Sequence, residues 1–95
     1  MSAFVYMMSD HRRRLLYVGV TTHLQRRAYE HRFGQIDGFT SRYGLTALVF
    51  YERHEDVLVV IQREKAIKHW SRRWKNNLVS SFNPDWLDLY DTLNR

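Results

Sequence analysis

AFVYMMSDHRRRLLYVGV, residues Ala3 to Val20, is the stretch that decides the fold. Two short apolar and aromatic runs, Ala3 to Met8 and Leu15 to Val20, flank the polar segment Ser9 to Arg14. Runs of that length around a polar turn read as a β-hairpin. Side chains alternate between the faces of a strand, so Leu16, Val18 and Val20 share one face, the natural core side. Tyr17 and Gly19 share the other, and on the first strand Tyr6 lies with Phe4 and Met8. Pairing Tyr6 opposite Tyr17 puts Met8 opposite Leu15 and sets both phenols side by side. Gly19 then leaves that patch bare enough for a ligand backbone to approach. A cross-strand aromatic pair also stabilises a hairpin for its own sake, so two tyrosines alone do not argue for function.

Beyond the hairpin, Thr22-His23-Leu24-Gln25 matches a capping box, and a helix is expected from about His23 to Arg32. An Arg26–Glu30 pair falls on its exposed side. Phe33 to Gly44 holds three of the four glycines and reads as a loop; Leu45 to Glu52 reads as a third strand. Asp56 to Trp74 is expected to be one long helix. Its start, Val57 to Ile61, could equally be a strand, but the continuation Gln62 to Ala66 favours helix and no Gly or Pro interrupts it. Asn83-Pro84 opens a last short helix, with Asn83 as N-cap and Pro84 in the first turn. The sum is one domain over residues 1–95: a core of about 2–80, a helical extension of about 84–93, and no repeats or linker. Its class is mixed α/β (α+β), with a small three-stranded, mainly antiparallel sheet carrying packed helices.

Composition narrows the function classes. The formal charge is +5, unevenly spread: residues 1–75 carry fourteen basic against seven acidic side chains, and residues 76–95 carry Arg95 against Asp85, Asp88 and Asp91. A positive body rich in aromatics favours nucleic acid over a membrane as partner. There is no cysteine, which removes thiolate chemistry and Cys-based zinc sites and is compatible with a reducing cytoplasm, the expected location. The longest apolar run, Val57 to Ile61, is far below the roughly 20 residues of a membrane span, and no export signal is visible.

On the first helix Arg27 and His31 are spaced i, i+4 and stack on one face, close enough to Tyr17 in sequence to fold over the hairpin. Either could be an ordinary surface side chain. Glu64 is the most informative residue, because it shares a helical stripe with Val57, Val60, Ile61, Ile67 and Ser71. A carboxylate among apolar groups needs a cation, since burying it unpaired costs several kcal/mol. Lys68 one turn on is the plain answer; a hard divalent metal is the other, and Mg²⁺ often takes only one or two protein carboxylates. No second acid is well placed, so a one-metal site is the form that remains. Arg12, Arg13 and Arg14 at the hairpin tip, with Lys68, Arg72, Arg73 and Lys75 along the long helix, are candidate phosphate contacts or simple solubilising charge.

In this order the residues resemble the GIY-YIG nuclease superfamily over nearly the whole chain. The name-giving tripeptides correspond to Phe4-Val5-Tyr6 and Tyr17-Val18-Gly19, with Phe4 where glycine is typical. The helix arginine corresponds to Arg27, the frequent His or Tyr one turn later to His31, the metal-binding glutamate to Glu64 and the late asparagine to Asn83. Phe39-Thr40 with Arg42-Tyr43, Lys68 to Arg72 and Asn83 to Trp86 resemble the small bacterial members that consist of this domain alone. The resemblance implies phosphodiester hydrolysis with one Mg²⁺ or Mn²⁺ held by Glu64, Arg27 on the phosphate, and Tyr6, Tyr17 or His31 handling the proton of the attacking water. DNA is the expected substrate ahead of RNA, with low sequence specificity and no obligate protein partner. A non-catalytic nucleic-acid-binding module is the alternative.

Overall fold

The computed structural model describes residues 2–93. Three antiparallel strands, β1 (Ala3–Ser9), β2 (Leu16–Thr21) and β3 (Ala47–His54), form one sheet in the order β2-β1-β3. The hairpin is therefore as expected, and β3 joins it on the other side of β1. Among the described residues there are five helices: α1 (Leu24–Arg32), α2 (Phe39–Arg42), α3 (Val57–Lys68), α4 (Arg72–Phe82) and α5 (Tyr90–Leu93).

The alternation of the central strand divides the interior in two. Ala3, Val5 and Met7 face Val18, Val60, Ile67 and Val79, beneath α3 and α4. Tyr6 and Met8 face the opposite way, toward Leu24 and Ala28 of α1, with Leu89, Tyr90 and Leu93 closing over them. Leu16 and Val20 join the α3 side with Val18, the face assigned to them from the alternation. On β3 a bulge opposite Met7 and Met8 breaks the rhythm, so the consecutive residues Val49 and Phe50 both turn to the α3 side.

Details of the hairpin, helices and loop differ from the sequence reading. The hairpin register pairs Tyr6 with Gly19 and Met8 with Tyr17, two residues from the expected Tyr6–Tyr17 pairing, so the tyrosines are diagonal neighbours. The expected long helix 56–74 is two helices. Asp56 caps the first through its side chain on the Leu58 N–H (2.8 Å), but Ser71, with extended backbone, caps the second by accepting from Trp74 N–H at 3.2 Å. The capping box at Thr22 does not form: His23 is the N-cap residue of α1, its N–H is taken by Thr21 Oγ1 (3.0 Å), and the Gln25 amide donates to the Leu93 carbonyl. Finally, the expected loop 33–44 contains the single turn α2, entered through Gly38 at φ 116°, a conformation only glycine takes without strain.

The C-terminal extension is mostly not helical. Asn83 ends α4 instead of opening a helix, and only Tyr90–Leu93 is helical beyond it. Residues 84–89 run back along β3, where Leu89 N–H bonds the Leu48 carbonyl (2.7 Å) and the Asp88 carboxylate accepts from Leu48 N–H (3.1 Å). This strap covers the outer edge of β3, which would otherwise offer unpaired backbone groups to another chain. Among the described residues no helix is long and apolar enough to cross a membrane.

Candidate active site

Tyr6, Tyr17 and His31 form a triangle of rings on the α1 side of the sheet. Ring centroids lie 6.3 Å apart for the two tyrosines, 5.5 Å for Tyr6 and His31, and 5.7 Å for Tyr17 and His31. The central strand buries Tyr6 to 1 % exposure, and α1 brings His31 down onto it at 3 %. Tyr6 Oη and His31 Nε2 are 2.8 Å apart, and His31 Nδ1 lies 3.1 Å from Thr40 Oγ1 on α2. Tyr17, on the edge strand, stays half-exposed. Of the two phenols it is the one solvent and a ligand can reach.

Gly19 serves this triangle in a way the alternation did not reveal. A Cβ there would stand 2.6 Å from the Tyr6 hydroxyl and 2.9 Å from the Tyr17 ring. The bare patch expected for a ligand is filled by the protein's own phenol.

Electrostatics keep the buried pair neutral. Burial pushes the Tyr6 phenol well above its usual range, with the neighbouring Tyr17 adding to it, while the Arg27 guanidinium beside it pulls partly back. Burial, helped by the Arg27 charge, lowers His31 to about 4. At neutral pH the imidazole is therefore uncharged, with one nitrogen protonated and the other an acceptor. Proton transfer from Tyr6 to His31 at rest is strongly uphill.

Arg27 is half-exposed on α1 and meets the Glu30 carboxylate at 3.4 Å; the expected Arg26–Glu30 contact is present at 3.8 Å. These three residues with Thr21, Thr22 and His23 line a polar cavity of about 370 Å³ where β2 passes into α1. Exposed aromatics stand close by in the chain: Tyr29 against Phe33 (4.8 Å) and, at the start and just past the end of α2, Phe39 against Tyr43 (4.9 Å).

Glu64 comes from the other layer of the molecule. It lies on α3, across the sheet from α1, and its carboxylate meets Lys68 Nζ at 3.0 Å, the i, i+4 pair expected as its plain partner. Its side chain is 14 % exposed. With about 100° per residue, and Val60 facing the sheet, Arg63 falls roughly 60° to one side of α3 and Glu64 roughly 40° to the other. Arg63 reaches Glu52 on β3 (3.0 Å), so Glu64 occupies the flank turned away from that contact, on a helix that packs against β2 as well as β1. Among the described residues no group of three or more His, Asp or Glu side chains converges as a metal cage. A single carboxylate, partly sheltered and open to solvent on one side, fits an ion that keeps most of its water, as Mg²⁺ does, and does not fit a structural zinc.

Three of the remaining candidates are committed elsewhere. Asn83, 5 % exposed, donates to the Val49 and Leu87 carbonyls (3.1 and 2.8 Å) and accepts from Leu87 N–H (3.1 Å), so both of its N–H donors are spent inside the protein. It satisfies the carbonyl of the bulged residue and holds the strap. Arg72 donates to the Arg13 carbonyl (2.8 Å), the Arg14 carbonyl and Asn76 Oδ1 (2.7 Å), and Arg13 donates to the Asp85 carbonyl (2.8 Å) beside the Trp86 ring. Both guanidiniums clamp the hairpin tip to α4 and the strap instead of standing free for phosphate. Arg12, Arg14 and Arg73 are exposed, and Lys75 is half-buried. Thr40 is the residue sequence reasoning missed. Nothing in a Gly-rich loop marks which hydroxyl will fold back onto an imidazole nine positions earlier.

Comparison with known proteins gives the family and the fold. A model of the GIY-YIG catalytic domain matches residues 2–77. A UPF0213 protein of Natronomonas pharaonis is 38 % identical over 65 residues, 68 % of this chain and 76 % of the relative. The solution NMR structure of a UPF0213 protein from Bacillus halodurans is similar with a TM-score of 0.59 and 29 % identity, covering 90 % of each chain. The hairpin with its two tyrosines, the helix that follows and the glutamate helix all fall inside the matched span, and the chain belongs to the GIY-YIG catalytic-domain family.

Proposed function

We propose that the protein is a metal-dependent endonuclease that hydrolyses DNA with low sequence specificity, its reacting groups meeting at the free edge of β2. The observation that carries the reading is the Tyr6–His31–Tyr17 triangle beside Arg27. A pair of neutral, hydrogen-bonded groups is buried so that one further phenol and one guanidinium stand at the surface. Packing alone asks for no such polar set. Arg27 would hold the scissile phosphate as charge builds on it, leaving the Glu30 carboxylate to do so. Tyr17 would orient the attacking water, and Tyr6, kept protonated by burial, would hold His31 and Tyr17 in place. Glu64 would hold Mg²⁺ or Mn²⁺, freed from Lys68, and the ion would supply charge neutralisation at the phosphate. The exposed aromatics near the site suit unpaired bases, which stack on such rings without regard to sequence.

A binding module of the same fold is the second reading, favoured by one observation: the Glu64 carboxylate already has a cation in Lys68. Incubation with plasmid, single-stranded and branched DNA, with Mg²⁺, Mn²⁺ or EDTA, separates the two for wild type and Glu64→Ala. Metal-dependent cutting lost in Glu64→Ala is the expected result. Cutting that survives both EDTA and the substitution removes the metal from the mechanism, and wild-type binding without cutting in every condition establishes the module.

A further inference from the structure

We propose that Thr40 is a positioning residue that fixes His31 as the Nδ1–H tautomer, so that Nε2 receives the Tyr6 hydroxyl hydrogen and the phenolic oxygen turns its lone pairs to Arg27.

Three hydrogen-bonding groups stand in line here with little access to water. Tyr6, His31 and Thr40 are 1 %, 3 % and 5 % exposed, and the two separations are 2.8 and 3.1 Å. A neutral imidazole has one N–H and one lone pair, and phenol and threonine hydroxyls can each give or accept. Two arrangements are therefore possible in principle. In one, Tyr6 donates to Nε2 and Nδ1–H donates to Thr40. In the other, Thr40 donates to Nδ1 and Nε2–H donates to the phenol. The phenol decides between them: it is far more acidic than a threonine hydroxyl, hence the stronger donor, and it stands 2.8 Å from Nε2. The nearby Arg27 guanidinium, which can only donate, acts in the same sense. A phenol oxygen that faces a guanidinium accepts there and gives its own hydrogen away, and the acceptor within reach is Nε2. Nδ1 must then carry the ring proton, and Thr40 Oγ1 is the oxygen placed to take it. Donation then runs in one direction, from Tyr6 to His31 to Thr40.

The local backbone is built for this contact. Gly38, at φ 116°, turns the chain into α2, and that single turn places Thr40 inward while Phe39 and Tyr43 stay exposed. Without the hydroxyl, a buried Nδ1–H would have no partner, and an unsatisfied buried donor is costly enough to drive the ring to its other tautomer. The phenol would then accept from Nε2–H and compete less well for Arg27.

The effect on rate rests on the nuclease reading, whereas the tautomer does not, and the test separates them. Nitrogen-15 NMR of the His31 ring in the wild-type protein at neutral pH is expected to show a protonated Nδ1 and an unprotonated Nε2. Thr40→Val should move the proton to Nε2 and slow cleavage roughly tenfold, the rate equivalent of one ordinary hydrogen bond. Thr40→Ser should restore both. A wild-type ring protonated on Nε2 overturns the proposal by itself, whether or not Thr40→Val folds, and so does an unchanged tautomer in a folded Thr40→Val. If the tautomer behaves as expected and no DNA is cut, the assignment of Thr40 to the imidazole stands and the nuclease reading falls.

Discussion

Tyr6 and Tyr17 differ by one strand of the sheet, and that difference divides their work. Tyr6 is on the central strand and has no access to water; Tyr17 is on the edge and does. Tyr17→Phe is expected to lower cleavage by at least about tenfold with little change in melting temperature, while Tyr6→Phe strands the His31 Nε2 and should cost about 1–3 kcal/mol of stability. Thermal unfolding of both variants beside a cleavage assay checks the division. Arg27→Ala should lower cleavage by about 10²–10³ without unfolding the chain, because the guanidinium is half-exposed.

His31 adds a pH dependence of definite sign. In the unfolded chain the imidazole takes a proton below about 6.5, whereas in the fold burial holds it neutral until about 4. Stability is therefore unaffected above that window and falls as pH drops through it, by on the order of 3 kcal/mol once both limits are passed. Denaturant midpoints measured from pH 7 to 4 should show the decline, and His31→Gln should lack it. The residues of the triangle were legible in the sequence because strand alternation and helical spacing are short-range rules. Thr40 was not, since its partner is fixed by a loop path that no local period encodes.

At the scale of elements, two of the misread features, the hairpin register and the part played by Asn83, depend on partners distant in the chain. The break between α3 and α4 does have a local signal in Ser71, but an uninterrupted run of helix formers hid it. Asn83 followed by proline reads as an N-cap, yet its amide is spent on the bulged carbonyl of Val49, a contact only the folded β3 creates. Asn83→Ala should accordingly cost about 2–3 kcal/mol, from several hydrogen bonds lost in a buried place, and leave the cleavage rate of the folded protein unchanged. A rate loss beyond the change in folded fraction would return Asn83 to the site. Arg72 and Arg73, adjacent in sequence, should separate as clearly. Arg73→Ala is expected to reduce the salt dependence of DNA binding by about one phosphate contact, whereas Arg72→Ala should lower the melting temperature by freeing the hairpin tip.

At the scale of the molecule, the sheet is a wall between two interiors of unequal support. One side rests on α3 and α4, twelve and eleven residues long; the other rests on α1, nine residues, with the four-residue α5 and the strap. The class of the fold and its hairpin were readable from the sequence, because apolar alternation reports which residues a sheet buries. The two-sided division was not, since it depends on where the helices land.

That imbalance has a consequence for motion. Layers that share only a thin partition need not open together, and the lighter one should open first. Backbone amides of α1 and of the strap are then expected to exchange with deuterium sooner than those of α3, as a separate group and at less denaturant. The imidazole and its guanidinium neighbour ride on the layer that breathes. The glutamate rides on the layer that stays, so a bound polyanion spanning both would be felt first as a quieting of α1.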